Sequence, residues 1–194
     1  VIIALNNLHI RRIIFLKNMT FGRSAINAKG PCYVIAEIGH NHQGDLETAQ
    51  QMIKVAAGCG VQAVKFQKRD NKSLYTKTFY DSPYDNENSY GATYGKHREF
   101  LEFGMQEYME LKKCADENGV EFMATAFDLS SVDFLEDLGV TSYKTSSSDL
   151  TNTPLLAYIA KIGKPMFIST GASSLEEIGI AYNEVSKYSE KICL

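Results

Sequence analysis

Apolar residues fall along this chain in short continuous runs, each followed by a longer stretch whose apolar positions recur three and four apart. The first run, Tyr33-Val34-Ile35-Ala36, continues through Glu37-Ile38-Gly39 into His40-Asn41-His42-Gln43-Gly44, and predicts a buried strand opening into a polar loop. Leu46, Ala49, Met52, Ile53 and Ala56 then predict a helix over 46–57, with Asp45 as its cap and Gly58-Cys59-Gly60 as its stop. The alternation repeats. Strands are predicted at 61–67, 120–127, 141–146 and 165–170, and helices at 106–118, 130–138, 154–162 and 174–188. Ser130 or Ser131 is the expected cap of the second of these helices, and Thr153 of the third, with Pro154 in its first turn. Residues 191–194 begin a sixth strand. Upstream, 21–29 alternate loosely and end in Lys29-Gly30-Pro31, the pattern of a short hairpin and turn.

Strand and helix alternating in this way imply a parallel sheet with right-handed crossovers. The spacing favours a (β/α)8 TIM barrel, here truncated after the start of its sixth strand, over a doubly wound sheet. The stretch 69–98 breaks the rhythm. It is polar and carries Tyr75, Tyr80, Tyr84, Tyr90 and Tyr94; a loop of that length is usually functional, and its tyrosines either cover a substrate or pack on one another.

In such barrels the chemistry sits where strands end and loops open, and the polar residues that interrupt apolar runs lie there. The first strand ends with Glu37 and the His-Asn-His, the second with Lys65 and Gln67, the third with Thr125 and Asp128. The fourth ends with Lys144, Ser146, Ser147, Ser148 and Asp149, and the fifth with Ser169, Thr170 and Gly171. Lys65 and Lys144 each sit inside an apolar run. With neighbouring Ser and Gly donors they suit phosphate or carboxylate oxygens, which points to an anionic substrate. The alternative is structural: each lysine pairs with a carboxylate such as Glu37 or Asp149.

Composition adds exclusions. The 194 residues carry a formal net charge of -3, so there is no general basic field for nucleic acid, and no apolar run has the length to cross a bilayer. A cytoplasmic protein is expected. Cys32, Cys59, Cys114 and Cys193 form no Cys-x-x-Cys pair and read as core thiols. Residues 1–18 mix Ile and Leu with Arg11, Arg12 and Lys17, ahead of the first methionine, Met19. They are expected to be a non-native or disordered extension, because arginines interrupt the apolar stretch where a signal peptide would have none.

His40 and His42, two apart, can project to one side of an extended segment. A His-x-His pair ending a first barrel strand also begins the metal-dependent amidohydrolases, with Lys144 placed to mimic their modified lysine. Against that, the fifth strand ends in Ser169-Thr170-Gly171 with no histidine ligand. A non-catalytic sugar- or phosphate-binding module is a further alternative.

Taken together, Ala36 to Gly44, Val64-Lys65-Phe66-Gln67, Tyr143 to Asp149 and Ser169-Thr170-Gly171 resemble the N-terminal barrel of the sialic acid (N-acetylneuraminate) synthase family. The loop from Tyr80 to Gly91 resembles its branch of spore-coat polysaccharide synthases. The resemblance implies condensation of phosphoenolpyruvate with an N-acyl hexosamine such as N-acetylmannosamine, giving a nonulosonic acid and phosphate, with a divalent metal, typically Mn2+. It implies that Lys144 and Ser147 hold the phosphate and that Lys65, Ser169 and Gly171 hold the carboxylate. Glu37 would stand at the reacting centre, while Gln67 and Asp149 would orient the amino sugar. Many relatives have Glu where Asp149 stands. The resemblance also implies a homodimer, a C-terminal antifreeze-like domain absent from this chain, and metal-binding histidines on strands beyond Leu194. On that reading 19–194 is a partial synthase barrel, inactive by itself, and His40 and His42 are not the family's ligand pair.

Overall fold

The computed structural model describes residues 19–27 and 30–194. The expected extension at 1–18, and Lys29 of the expected turn, lie outside the described residues. In chain order, β1 (Met19–Phe21) and β2 (Ser24–Ile26) form an antiparallel hairpin, followed by β3 (Ile35–Gly39), α1 (Leu46–Gly58) and β4 (Ala63–Lys68). Next come the short helices α2 (Asn71–Leu74) and α3 (Lys77–Tyr80), then α4 (Tyr94–Leu101), α5 (Met105–Glu117), β5 (Glu121–Ala126) and α6 (Leu129–Leu138). The chain continues through β6 (Tyr143–Thr145), a single 3-10 turn at Ser147–Asp149, α7 (Thr153–Ile162), β7 (Met166–Ile168), α8 (Leu175–Val185) and β8 (Ile192–Cys193). It is an α/β fold built on parallel strands.

The described residues form two compact units: 34–140, and those up to Tyr33 together with 141–194. In the first, β3, β4 and β5 pair in parallel and in chain order. Their near-continuous apolar runs bury Ala63, Val64, Phe66, Phe122, Met123 and Ala124, as strands covered on both faces must. Ile53 of α1 and Leu111 of α5 are wholly buried, each stabilising the unit by roughly 1.5–3 kcal/mol. In the second unit β6, β7 and β8 pair in parallel, with Leu155, Leu156 and Ile159 of α7 and Ala181 and Val185 of α8 buried. Phe21 of the hairpin packs its ring 4.1 Å from that of Phe167.

The caps refine the sequence reading. Asp45 accepts from Thr48 N at 2.6 Å, as predicted. α6 is capped by Asp128, not by Ser130 or Ser131: Asp128 Oδ1 accepts from Ser131 N at 2.7 Å, and Oδ2 also takes Asp70 N at 2.8 Å. Asn152, not Thr153, caps α7, accepting from Leu155 N at 3.3 Å. In both cases the carboxylate or amide one to three residues upstream reaches the orphan N–H groups, and the predicted cap is drawn into or beside the first turn. The tyrosine-rich stretch is ordered and self-packed, with α2, α3 and α4 inside it.

Candidate functional site

At the C-terminal ends of β3 and β4 a chain of polar side chains runs through the first unit. β3 is bulged between Glu37 and Gly39: Glu37 pairs with Lys65 of β4, and Gly39 with the next residue, Phe66. Just ahead of the bulge, the regular register of Ile35, Ala36 and Glu37 against Ala63, Val64 and Lys65 places Glu37 and Lys65 side by side, and their carboxylate and ammonium form an ion pair. Lys65 also donates to Thr125 Oγ1 at 3.0 Å. Gln67 Nε2 donates to the other oxygen of Glu37 at 3.0 Å, and Gln67 Oε1 accepts from Arg69 at 2.6 Å. Gly39, with φ of 57°, leaves room for this: a Cβ there would stand 3.2 Å from both Gln67 Nε2 and Glu37 Oε1. The Lys65 side chain is 12% exposed and that of Glu37 45%, so the pair opens to solvent from the carboxylate side.

Residues 40–44 wind into hydrogen-bonded turns, with Gln43 N donating to His40 O and Asp45 N to His42 O. The expected extended segment with both imidazoles on one side is therefore absent. The His42 ring is buried and stacks on Phe103 at 4.3 Å, and its Nδ1 accepts from Gly44 N at 3.1 Å. Burial, with His40 nearby, pushes its pKa down to about 4, so it is neutral near pH 7. His40 Nε2 lies 3.4 Å from Glu102, a buried carboxylate that also takes Lys68 at 3.4 Å and stands 3.9 Å from the Arg69 guanidinium. Among the described residues no group of three or more His, Cys, Asp or Glu side chains is arranged to hold a metal ion. The two histidines, one stacked and one facing Glu102, do not form such a set.

The second unit holds the other predicted residues. Lys144 on β6 reaches across to β7, donating to Ser169 Oγ and, at 2.5 Å, to Thr145 O. Beyond β6, Ser146 caps the 3-10 turn by accepting from Ser148 N at 3.3 Å. That turn buries Asp149, which is 9% exposed. A Cβ on Gly171 would be 3.5 Å from Ser147 Cβ, so the loop after β7 lies against Ser147 in ordinary contact. Lys144, Ser147, Ser169 and Gly171 are thus close neighbours, and a cation among hydroxyls is a fit receptacle for anionic oxygens.

Of the predicted residues, Glu37, Lys65 and Gln67 share one cluster, and Lys144, Ser147, Ser169 and Gly171 share another, with Asp149 in the turn beside it. The structural alternative for Lys65 holds in part, since it is paired with Glu37. Sequence reasoning missed Arg69 and Glu102. The polar run Gln67-Lys68-Arg69-Asp70 just past a strand was a signal for the first, and a lone acid within Leu101-Glu102-Phe103 for the second.

Comparison with known proteins adds to the geometry. A model of the NeuB family matches residues 52–194. The N-acetylneuraminate-9-phosphate synthase of Homo sapiens is 39% identical over 168 residues, which are 87% of this chain and 47% of that protein. The crystal structure of an N-acetylneuraminic acid (sialic acid) synthetase from Leptospira borgpetersenii, in complex with citrate, superposes with a TM-score of 0.77. It is 29% identical and covers 91% of this chain and 57% of that one. A spore coat polysaccharide biosynthesis protein from Bacillus subtilis has a TM-score of 0.75 at 25% identity, covering 91% and 46%. This chain spans about half the length of the proteins it matches.

Proposed function

The chain belongs to the NeuB family, and from that membership we propose that the complete protein condenses phosphoenolpyruvate with an N-acyl hexosamine to form a nonulosonic acid and inorganic phosphate. Carbon 3 of phosphoenolpyruvate forms the new bond to the aldehyde carbon of the open-chain sugar. Water adds at carbon 2 and phosphate leaves with the bridging oxygen. No Schiff base is needed, so the lysines act as charges.

In its own unit Lys144, with Ser147, Ser169 and Gly171, offers a cation and donors to the anionic oxygens of phosphoenolpyruvate, and in the other unit Lys65 offers a second cation. Glu37 meets the reacting centre, and Gln67 and Asp149 orient the amino sugar. The observation that carries the reading is the Glu37–Lys65–Gln67 cluster. A carboxylate held on one oxygen by an ammonium and on the other by an amide is fixed in direction while 45% of its side chain faces solvent. Fixed donors and acceptors at a reacting carbon are what lower the barrier to such a condensation. The Mn2+ that the family resemblance implies has no ligand set among the described residues. We infer that it is held by other groups of the complete protein. Closure of the parallel strands into an eight-stranded barrel, and a homodimer, belong to the same proposal.

The names of the relatives divide over a phosphate on the sugar. Adding three carbons ahead of the aldehyde makes carbon 6 of the hexosamine carbon 9 of the product, so N-acetylmannosamine and its 6-phosphate are the two acceptors to compare. The test is release of phosphate from phosphoenolpyruvate by the complete protein, with the keto sugar acid followed in parallel. The expected result is phosphate and keto acid formed together with at least one acceptor and neither without a sugar. No keto acid with either acceptor would overturn the proposal.

A further inference from the structure

We propose that Arg69 is a positioning residue that sets the polarity of the Gln67 amide and, through it, the direction in which the Glu37 carboxylate faces. The two ends of a glutamine amide have nearly the same shape, so packing does not decide which end meets a neighbour; hydrogen bonding does. A guanidinium has donors and no acceptor. With Arg69 at 2.6 Å, the Gln67 oxygen must face Arg69, and the nitrogen is left to donate to Glu37 at 3.0 Å. Turned over, the amide would set its oxygen against the carboxylate and its N–H groups against the guanidinium, a repulsion at both ends. Glu37 then has an amide on one oxygen and Lys65 on the other. One N–H of Gln67 remains for a substrate.

Arg69 is itself held from several sides. It is 8% exposed, and its guanidinium lies 3.8 Å over the Phe127 ring. Its edge stands 3.5 Å from His40 Nδ1 and 3.9 Å from Glu102, whose other oxygen accepts from Arg69 N at 3.3 Å. A planar cation fixed on an aromatic face can present its donors in one plane only, which lysine cannot imitate. Gly39, where a Cβ would crowd both partners of the Gln67–Glu37 bond, shows how closely the backbone is fitted to that bond.

The inference rests on the reading of Glu37 and Gln67 as parts of the active site, so its test has one readout that needs no turnover. Arg69→Gln, whose amide can donate or accept, and Arg69→Lys are made in the complete protein beside Glu102→Gln, which removes the charge facing Arg69 without touching Gln67. Phosphoenolpyruvate and N-acetylmannosamine, or its 6-phosphate, are the substrates. The second readout is the pair of side-chain amide proton signals of Gln67, assigned by their loss in Gln67→Met. Arg69→Gln is expected to lower kcat between about tenfold and about a hundredfold with KM for phosphoenolpyruvate within about twofold, and Arg69→Lys to fall between it and the parent. The Gln67 amide pair should lie away from the positions of a solvent-exposed glutamine in the parent and in Glu102→Gln, and move toward those positions in Arg69→Gln. An Arg69→Gln protein with parental kcat and an amide pair at the parental positions would overturn the inference, as would equal losses in Glu102→Gln and Arg69→Gln. Where Arg69→Gln does not fold, Arg69→Lys is judged on the same two readings. Should the parent make no keto acid, the proposed activity fails, and the amide signals alone decide for or against Arg69.

Discussion

At the scale of single residues, the charges that interrupt apolar runs were legible, and so was Glu37 as a partner for Lys65, while Arg69 and Glu102 were not. Glu37, Lys65 and Lys144 each stand out as a charge inside an apolar run. Lys65 meets Glu37 because Ile35, Ala36 and Glu37 pair in regular register with Ala63, Val64 and Lys65, an alignment of two strands that the periodicity of either alone does not give. Lys144 has Ser169 and Thr145 O as neighbours, and replacing its charge leaves hydroxyls alone to meet a phosphate. Lys144→Ala in the complete protein should weaken phosphoenolpyruvate binding by roughly 1.5–3 kcal/mol while sugar binding changes little, and Lys144→Gln should be nearly as harmful. A titration showing unchanged phosphoenolpyruvate affinity in both would remove Lys144 from the site. His42 makes a different prediction. Its folded pKa of about 4 lies below the ordinary 6.5 because its ring is buried on Phe103. Between those values the unfolded chain binds a proton that the folded chain does not. Stability from His42 is complete above about pH 6.5 and is lost as pH falls toward about 4, a loss on the order of 3 kcal/mol. The His42 ring signals should show no titration above about pH 5. His42→Phe should lose less stability than the parent between about pH 7 and about pH 4.5. An ordinary midpoint near 6.5 would contradict this assignment.

Among elements, the strands and long helices fell where their patterns put them, because short apolar runs and three-four spacing have direct structural causes. The caps of α6 and α7 were misplaced by one to three residues, while that of α1 was not, because several residues near a helix start can supply the oxygen and backbone direction chooses between them. The tyrosine-rich segment was legible as a special stretch with two readings, substrate cover or self-packing, and the structure shows the packing. Its rings meet across the sequence: Tyr75 and Tyr94 at 5.2 Å, Tyr84 and His97 at 4.5 Å, Tyr90 and Phe100 at 4.9 Å. α3 and α4 approach closely because Gly95 has no side chain; a Cβ there would lie 2.3 Å from the Tyr80 ring. Tyr80 in turn donates to Glu99. Gly95→Ala should therefore push Tyr80 out of place and cost roughly 1–3 kcal/mol, the usual penalty for overpacking. Limited proteolysis should cut the variant within 69–104 well before the parent. Equal cleavage rates would show that the Tyr80–Gly95 contact does not hold the segment together.

For the whole molecule, the family was legible because four short motifs stand in the same order as in its members, and the match to the NeuB model over 52–194 agrees. A metal is expected only through that resemblance: among the described residues His40 and His42 belong to no group of three or more side chains that could hold one. Activity and binding separate at this scale. The Lys144–Ser169 cluster lies within one compact unit and the Glu37–Lys65–Gln67 cluster within the other. The matched relatives are about twice as long as the stretch this chain covers in them. If the reaction needs groups from that further length, local clusters can retain an anion without turning it over. The purified 194-residue chain is then expected to bind phosphate or phosphoenolpyruvate weakly, with Lys144→Ala abolishing that binding, and to release no phosphate from phosphoenolpyruvate and N-acetylmannosamine when Mn2+ is supplied. The complete protein should release it under the same conditions. Comparable turnover by the two would show that the described residues suffice, and would restore His40 and His42 as the place to look for the metal.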